Sequence, residues 1–196
     1  MGAAIVYDQT RRLLWEISLP SLLEDIVTPR LSLIAVTPEM LNSEKNGDGR
    51  LGEHIQCVIP ANWPPADWEP HVLDFLLAQF AEHPEQLGWC RYVGYVHPDG
   101  TRALIGTLGA FVRAGRPSEC EIGYSILAPY EGQGLATEAA QGLITYLRGN
   151  AGLSSVIAHS FPSLPASIRV MEKCGMVFDG QGEQPGTVRY RLELRK

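Results

Sequence analysis

The sequence predicts a mixed α/β (α+β) fold in which a mostly antiparallel central sheet is flanked by helices. Three consecutive strand patterns are separated by turn signals at residues 99–100 and 114–117, which is typical of an antiparallel sheet. The third strand pattern is followed by a glycine-containing loop, a helix pattern and another strand pattern, which together make a βαβ unit of about 40 residues. The strands on either side of that helix should therefore run parallel or splay apart.

Length and composition are those of one globular domain. The chain has 196 residues, of which 45% are hydrophobic and 19% charged. No apolar run approaches the roughly 18 to 20 residues of a membrane span, and the N-terminus lacks the pattern of a secretory signal. We therefore expect a cytoplasmic protein with no membrane partner. The net charge of −6 argues against a nucleic-acid partner and suits a substrate that carries a protonated amine.

The four cysteines indicate neither a disulfide framework nor a metal site. Cys57, Cys90, Cys120 and Cys174 are far apart, no CxxC is present, and the histidines lack the spacing of metal ligands. We expect reduced, mostly buried thiols and no metal.

The N-terminal 28 residues are the least regular part of the sequence. Apolar runs at residues 4–7 and 13–17 indicate short strands, and residues 21–27 indicate a helical turn. We expect residues 1–28 to form an extension that packs on a domain of residues 29–196.

Capping residues and proline define the elements of the next part. Thr37 is a plausible N-cap and Pro38 a favourable first helical residue, and Pro84 stops a second helix. The predicted elements are a strand at 31–36, a helix from 38 to about 45, an irregular stretch at 50–69, a helix at 70–83, and strands at 88–96 and 103–112. Trp63 and Trp68 either cover the core from the irregular stretch or line a binding groove.

Periodicity defines the elements of the C-terminal half. Leu135, Ala139 and Leu143 share one face of a helix, and Gly175 ends a later one. The predicted elements are a strand at 120–127, a helix at 135–147, a strand at 154–159, a helix at 165–174, and closing strands at 176–178 and 187–194.

The loop before the helix at 135–147 has the composition of an anion site. Gly132, Gly134 and Ala136 alternate along it, so their small side chains leave the backbone N–H groups unshielded. The helix that begins there adds the positive end of its dipole. These features together favour binding of a pyrophosphate, which a nucleotide or another cofactor could supply.

Three segments resemble, in order, motifs of the GNAT superfamily of acyl-CoA N-acyltransferases. Glu121-Ile122-Gly123-Tyr124 is similar to the strand before the cofactor loop, Glu131-Gly132-Gln133-Gly134-Leu135-Ala136 to the pyrophosphate loop, and residues 166–176 to the late helix and its glycine exit. The layout is similar to the branch that includes ribosomal-protein N-terminal acetyltransferases. There are two departures from the pattern. Glu131 stands where the loop has Arg or Gln, and Leu164 stands where the late helix has Asn.

The resemblance implies a GNAT-like domain whose sheet splays at the cofactor site, with acetyl-CoA as co-substrate. It implies that a backbone N–H of the strand before the loop holds the developing oxyanion, and the candidates are Ser125, Ile126 and Leu127. Gln133, Gly134, Ala136 and Thr137 are expected to meet the pyrophosphate, mainly through backbone N–H groups. The cofactor-binding residues of the loop are expected to be Glu131, Gly132, Gln133, Gly134, Leu135, Ala136 and Thr137. The side chain of Glu131 is expected to point away from the pyrophosphate.

The candidate catalytic residues are Glu121 and Ser167. Glu121 lies on the strand that leads to the reaction centre and is the predicted general base, although Glu119 lies on the same face and competes for that role. Alternatively, Glu121 is a solvated or salt-bridged strand residue. Ser167 matches the late-helix serine of the branch and is the predicted acid, or else it only caps the helix.

The predicted reaction is direct transfer of an acetyl group from acetyl-CoA to a primary amine. The amine belongs to a protein N-terminus or to a small molecule, and the enzyme is expected to be a monomer or a homodimer. The alternative is a non-catalytic acyl-CoA-binding or regulatory domain of the same fold.

Overall fold

The computed structural model describes residues 23–66, 68–113, 115–149 and 152–194. The strands are β1 (Ile26–Val27), β2 (Leu31–Ala35), β3 (Arg91–Val96), β4 (Arg102–Arg113), β5 (Arg116–Ile126), β6 (Ser155–Ser160), β7 (Val177–Gln181) and β8 (Val188–Glu193). The helices are α1 (Pro38–Asn46), α2 (Leu51–Ile55), α3 (Pro70–Glu82), α4 (Leu135–Arg148) and α5 (Pro165–Lys173). The strands predicted at 4–7 and 13–17 lie outside the described residues.

The strands form one eight-stranded sheet in the order β1-β2-β3-β4-β5-β6-β8-β7. Every neighbouring pair is antiparallel except β5 and β6, which run parallel. The prediction of a mixed, mostly antiparallel sheet flanked by helices is therefore confirmed. The third strand of the hairpin series begins at Arg116 rather than at residue 120.

The parallel pairing of β5 and β6 is short. The two strands are in register only at Glu119–Ser155, Cys120–Val156 and Glu121–Ile157. Beyond these pairs β5 continues to Ile126 and β6 to Ser160 without facing each other. The sheet is therefore splayed on the C-terminal side of Glu121, as the βαβ argument predicts.

The sheet has a core cluster on each face. Leu135, Leu143 and Leu147 of α4 are at most 1% exposed and belong to the first cluster, in which α4 packs mainly against β2 and β5. The second cluster lies under α1, α2 and α3. No helix in the described part of the chain is long and apolar enough to cross a membrane.

The two tryptophans belong to the second cluster. Trp68 is buried and Trp63 packs against the cluster. Both indole N–H groups donate to Glu44, at 2.7 Å from Trp63 and 3.0 Å from Trp68. This arrangement supports the core-covering interpretation, although Trp68 also lines a cavity described below.

Two predicted segments differ in the structure. Residues 50–69 were predicted to be irregular, but helix α2 forms there because Leu51 and Ile55, one turn apart, are both buried. The predicted helical turn at 21–27 is wrong for its described part. Ile26 and Val27 instead pair with Leu33 and Ser32 as strand β1.

Candidate active site

The loop that joins β5 to α4 has a backbone that only glycine adopts readily. Gly132 and Gly134 have φ angles of 73° and 78°, in the left-handed region. Gly134 is the N-cap of the 14-residue helix α4. A Cβ atom at Gly132 would meet no protein atom within 4 Å, so this side of the loop is open.

The backbone N–H groups at the α4 end of this loop have no hydrogen-bond acceptor in the part of the chain that the structure describes. Within the described residues no acceptor bonds the N–H of any residue from Gly132 to Thr137, and Glu138 is the first to donate, to the carbonyl of Gly134 at 3.0 Å. The side chain of Leu135 is buried, so this residue offers only its backbone. Free N–H groups at a helix N-terminus fit a pyrophosphate.

A basic side chain from the turn between β1 and β2 forms hydrogen bonds with the loop and with the first turn of α4. Arg30 donates from Nη1 to the carbonyl of Gln133 at 3.0 Å and from Nε to Glu138 at 2.7 Å. Glu138 also accepts from the Thr28 hydroxyl at 2.6 Å. The turn between β1 and β2 is thus attached to the first turn of α4. Sequence reasoning missed this contact, since no local pattern links residues more than 100 positions apart.

Of the three oxyanion candidates, only Ile126 has a backbone N–H that faces the splay. The N–H of Leu127 donates to the carbonyl of Ile105 at 2.8 Å. Because N–H directions alternate along an antiparallel pair, the N–H of Ser125 also faces β4 and that of Ile126 faces away from it. The Ser125 hydroxyl donates to the carbonyl of Ala66 at 2.8 Å.

The carboxylate of Glu121 lies at the point where β5 and β6 part. Arg113 donates to it at 2.6 Å and Nδ1 of His159 lies 2.8 Å from its other oxygen. Arg113 also forms an ion pair with Glu183. Glu121 is therefore salt-bridged, as one interpretation expected, and it also faces a cavity, which leaves it available as a base.

The competing carboxylate, Glu119, is enclosed. Its side chain is 6% exposed and forms ion pairs with Arg116 and Arg191. It lines neither of the two cavities described below. Glu121 is accordingly the better placed of the two for contact with a substrate.

A tyrosine of β5 reaches across the splay to α5. The Tyr124 hydroxyl lies 3.0 Å from the carbonyl oxygen of Ser167 and 3.3 Å from its hydroxyl. Burial raises the pKa of Tyr124 to about 12, an effect that the contact with Ser167 only partly offsets, so the phenol stays protonated at neutral pH. A proton donor thus stands beside Ser167, on the side of the sheet that carries the loop.

Two adjoining cavities lie between α3 and the sheet. The apolar cavity, of about 300 Å³, is bounded by α3 and the middle of β4 and β5. The polar cavity, of about 450 Å³, includes Arg113, Glu121, His159 and Glu183. Phe75, Gln79 and Phe111 belong to the walls of both. The two cavities therefore present an apolar compartment next to a charged one, with Glu121 in the charged one.

The four cysteines are uncharged, and the described acidic side chains form no cluster suited to a metal ion. Burial raises the pKa of Cys57 and Cys174 to about 11 and that of Cys90 and Cys120 to about 12, so all four are neutral thiols near pH 7. No group of three or more His, Cys, Asp or Glu side chains suited to a metal ion occurs in the part of the chain that the structure describes.

Comparison with known families identifies this architecture. Residues 48–177, about two thirds of the chain, match the family model of the acetyltransferase (GNAT) domain. The chain belongs to the GNAT acetyltransferase family. This match includes the splayed strands, the loop with its free N–H groups and the Tyr124–Ser167 contact.

Named relatives in this family share limited identity with the chain. An uncharacterized N-acetyltransferase, YoaA of Bacillus subtilis (strain 168), is 34% identical over 80 residues. These residues are 41% of this chain and 45% of that protein, so the match spans less than half of the relative's length.

Solved structures of GNAT proteins share the fold. RimL, a ribosomal L7/L12 α-N-protein acetyltransferase in complex with coenzyme A, superposes with a TM-score of 0.59 at 16% identity, over 87% of this chain and 98% of that one. A variant of the spermidine N-acetyltransferase SpeG of Vibrio cholerae superposes with a TM-score of 0.53 at 17% identity, over 85% and 95%. At these identities the likeness is one of fold.

The hydroxyl of Tyr124 is the expected proton source of this GNAT site. We expect Tyr124→Phe to lower kcat by about 100-fold, the size of a lost general acid, while the Kd for coenzyme A stays within about twofold because the loop is untouched. Steady-state kinetics and calorimetry measure these quantities. Tyr190→Phe, which also removes a buried tyrosine hydroxyl, is the control. A larger loss in Ser167→Ala than in Tyr124→Phe would assign the acid to Ser167 instead.

Proposed function

We propose that the protein transfers an acetyl group from acetyl-CoA to a primary amine. The observation that carries the proposal is the run of free N–H groups from Gly132 to Thr137 beside a splayed sheet, with the carboxylate of Glu121 where the strands part. An anion site alone would suit any nucleotide. A strand edge that is open beside it also suits the amide groups of a pantetheine arm, which supports coenzyme A.

The base, the acid and the oxyanion donor of this reaction are supplied by different residues of the chain. Bound acetyl-CoA supplies an acetyl group activated as a thioester. As the nitrogen–carbon bond forms and the carbon–sulfur bond breaks, the amine gives up a proton and the sulfur gains one. Glu121 accepts the proton of the amine, and the hydroxyl of Tyr124 or Ser167 donates to the sulfur. The N–H of Ile126 stabilises the negative charge that develops on the carbonyl oxygen.

The acceptor is a protein N-terminal amine or a small-molecule amine. The names of the two solved relatives, one acting on a ribosomal protein and one on spermidine, cover both kinds. We propose further that residues 29–196 form the catalytic domain, with residues 1–28 packed on it, and that the protein works in the cytoplasm as a monomer or a homodimer without nucleic acid or metal.

The test is release of coenzyme A thiol from acetyl-CoA in the presence of a panel of amines, with the acetylated product identified by mass spectrometry. We expect amine-dependent release that saturates with both substrates. The departures at Glu131 and Leu164 favour one alternative, an acyl-CoA-binding or regulatory protein without turnover. Tight coenzyme A binding with no thiol release for any amine would establish that alternative.

A further inference from the structure

The walls of the apolar cavity carry no charge. Its aromatic and aliphatic members include Trp68, Phe75 and Phe80, and none of the described residues that line it is Asp, Glu, Lys, Arg or His. Its floor is bare backbone, because Gly109 and Gly123 are direct partners on β4 and β5. A Cβ atom at Gly123 would meet no protein atom within 4 Å, so the space above it is empty. This compartment suits an apolar group and excludes an unpaired charge.

An unused hydrogen-bond acceptor marks the junction of the two cavities. Oε1 of Gln79 is buried and has no hydrogen-bond partner within the described residues. Gln79 belongs to the walls of both cavities. Buried polar atoms are nearly always bonded in folded proteins, so rotation of the Gln79 side chain would let its unbonded acceptor meet a donor on a ligand in either cavity.

The polar cavity adds negative charge beside that acceptor. Glu121 and Glu183 contribute two carboxylates there, against the guanidinium of Arg113 and the imidazole of His159, which both contact Glu121. A protonated amine at the junction would thus meet the carbonyl of Gln79 and the carboxylate of Glu121. The same ammonium placed deeper in the apolar cavity would have no counter-charge.

We propose that the acceptor is a primary amine on a compact aromatic or aliphatic skeleton. The skeleton lies in the apolar cavity against Gly109 and Gly123, and the amine lies at the junction beside Gln79 and Glu121. This inference rests on the proposed function and specifies its substrate class. A free arylalkylamine and the aromatic N-terminal residue of a peptide share this chemistry. A diamine or polyamine of similar length does not, because its second ammonium would be buried without a partner.

The first experiment compares kcat/KM for phenethylamine, the tripeptide Phe-Gly-Gly, 1,5-diaminopentane and spermidine. We expect one of the two aromatic amines to exceed both polyamines by at least about tenfold, since sites reject substrates that leave polar groups unpaired. Preference for phenethylamine identifies a free amine, and preference for the tripeptide identifies an N-terminal residue. Polyamines acetylated as well as the aromatic amines overturn the substrate class but leave the acetyltransferase proposal intact. No acetylation of any amine overturns both.

A pair of variants tests whether the preference for aromatic amines depends on the apolar cavity. Gly123→Leu extends a side chain into the empty space, and we expect it to lower the ratio of kcat/KM for the preferred aromatic amine to that for ethylamine by at least about tenfold. Ser118→Leu, an exposed position on the same strand, is the matched control and should leave the ratio unchanged. An unchanged ratio in Gly123→Leu overturns the assignment of the skeleton to this cavity.

Gln79→Glu keeps the test independent of whether Gly123→Leu folds. The change preserves the shape of the side chain and adds a carboxylate at the junction. We expect it to lower the KM for phenethylamine by about tenfold, because the added carboxylate lies beside the bound ammonium, while the Kd for coenzyme A stays within about twofold. A thermal melt verifies that the variant is folded. A folded Gln79→Glu protein with the wild-type KM for phenethylamine contradicts the proposal.

Discussion

Gly134→Glu should abolish coenzyme A binding, raising the Kd by at least about 100-fold. The left-handed φ of Gly134 costs other residues roughly 1 to 2 kcal/mol. A Cβ atom at this position would lie 3.7 Å from Nη2 of Arg30, which also bonds to the loop, and the new carboxylate would add negative charge at the expected pyrophosphate site. Isothermal titration calorimetry with coenzyme A measures the loss.

The control for this variant is Gly47→Glu. Gly47 also has a positive φ, of 60°, and an added Cβ there would meet no protein atom within 4 Å, but it caps the end of α1 instead of the cofactor loop. The control should therefore show a comparable loss of thermal stability with the affinity for coenzyme A retained. Wild-type affinity in Gly134→Glu would mean that the loop is not the pyrophosphate site.

Glu121→Gln should lower kcat by about 100-fold or more while leaving the Kd for coenzyme A nearly unchanged. The amide keeps the shape of the carboxylate but cannot accept the proton of the amine, and general bases typically contribute about 10² to 10⁴ in rate. Steady-state kinetics and isothermal titration calorimetry with coenzyme A measure these two quantities.

The control for Glu121→Gln is the same substitution at Glu119. Glu119→Gln weakens the ion pairs of a buried carboxylate with Arg116 and Arg191, so it should lower the melting temperature without a comparable loss of kcat in the folded protein. If Glu119→Gln lowers kcat by about 100-fold and Glu121→Gln does not, the base is Glu119 and the Glu121 assignment is wrong.

The main features of the fold could be predicted because they are encoded locally. The apolar face that includes Leu135, Ala139 and Leu143 specifies α4 whatever surrounds it, and Thr37 caps α1 by accepting from the N–H of Met40 at 3.3 Å. The pyrophosphate loop was predictable because positive φ angles at Gly132 and Gly134 leave few alternatives to glycine. Helix α2 was not, because tertiary burial of Leu51 and Ile55 stabilises its five residues.

The contacts that complete the site were not predictable. Arg30 braces the loop across more than 100 residues, and His159 bonds Glu121 only because the short parallel pairing brings β6 beside β5. Tyr124 is visible in the motif of the strand, but its approach to Ser167 depends on how α5 packs after the strands have parted. Such contacts follow from the assembled sheet and carry no periodic or spacing signal.

The short seam between β5 and β6 has a mechanical consequence. It joins two half-sheets, β1 to β5 and β6 to β8, through three residue pairs, so the seam should act as a hinge whose stiffness depends on what fills the gap. A ligand that bonds to the edges of both half-sheets takes the place of the missing backbone partners. Its binding energy then adds to the stability of the fold, by about 2.7 kcal/mol at a ligand concentration 100 times the Kd. The cofactor would thus stabilise the contact between the two half-sheets as well as donate the acyl group.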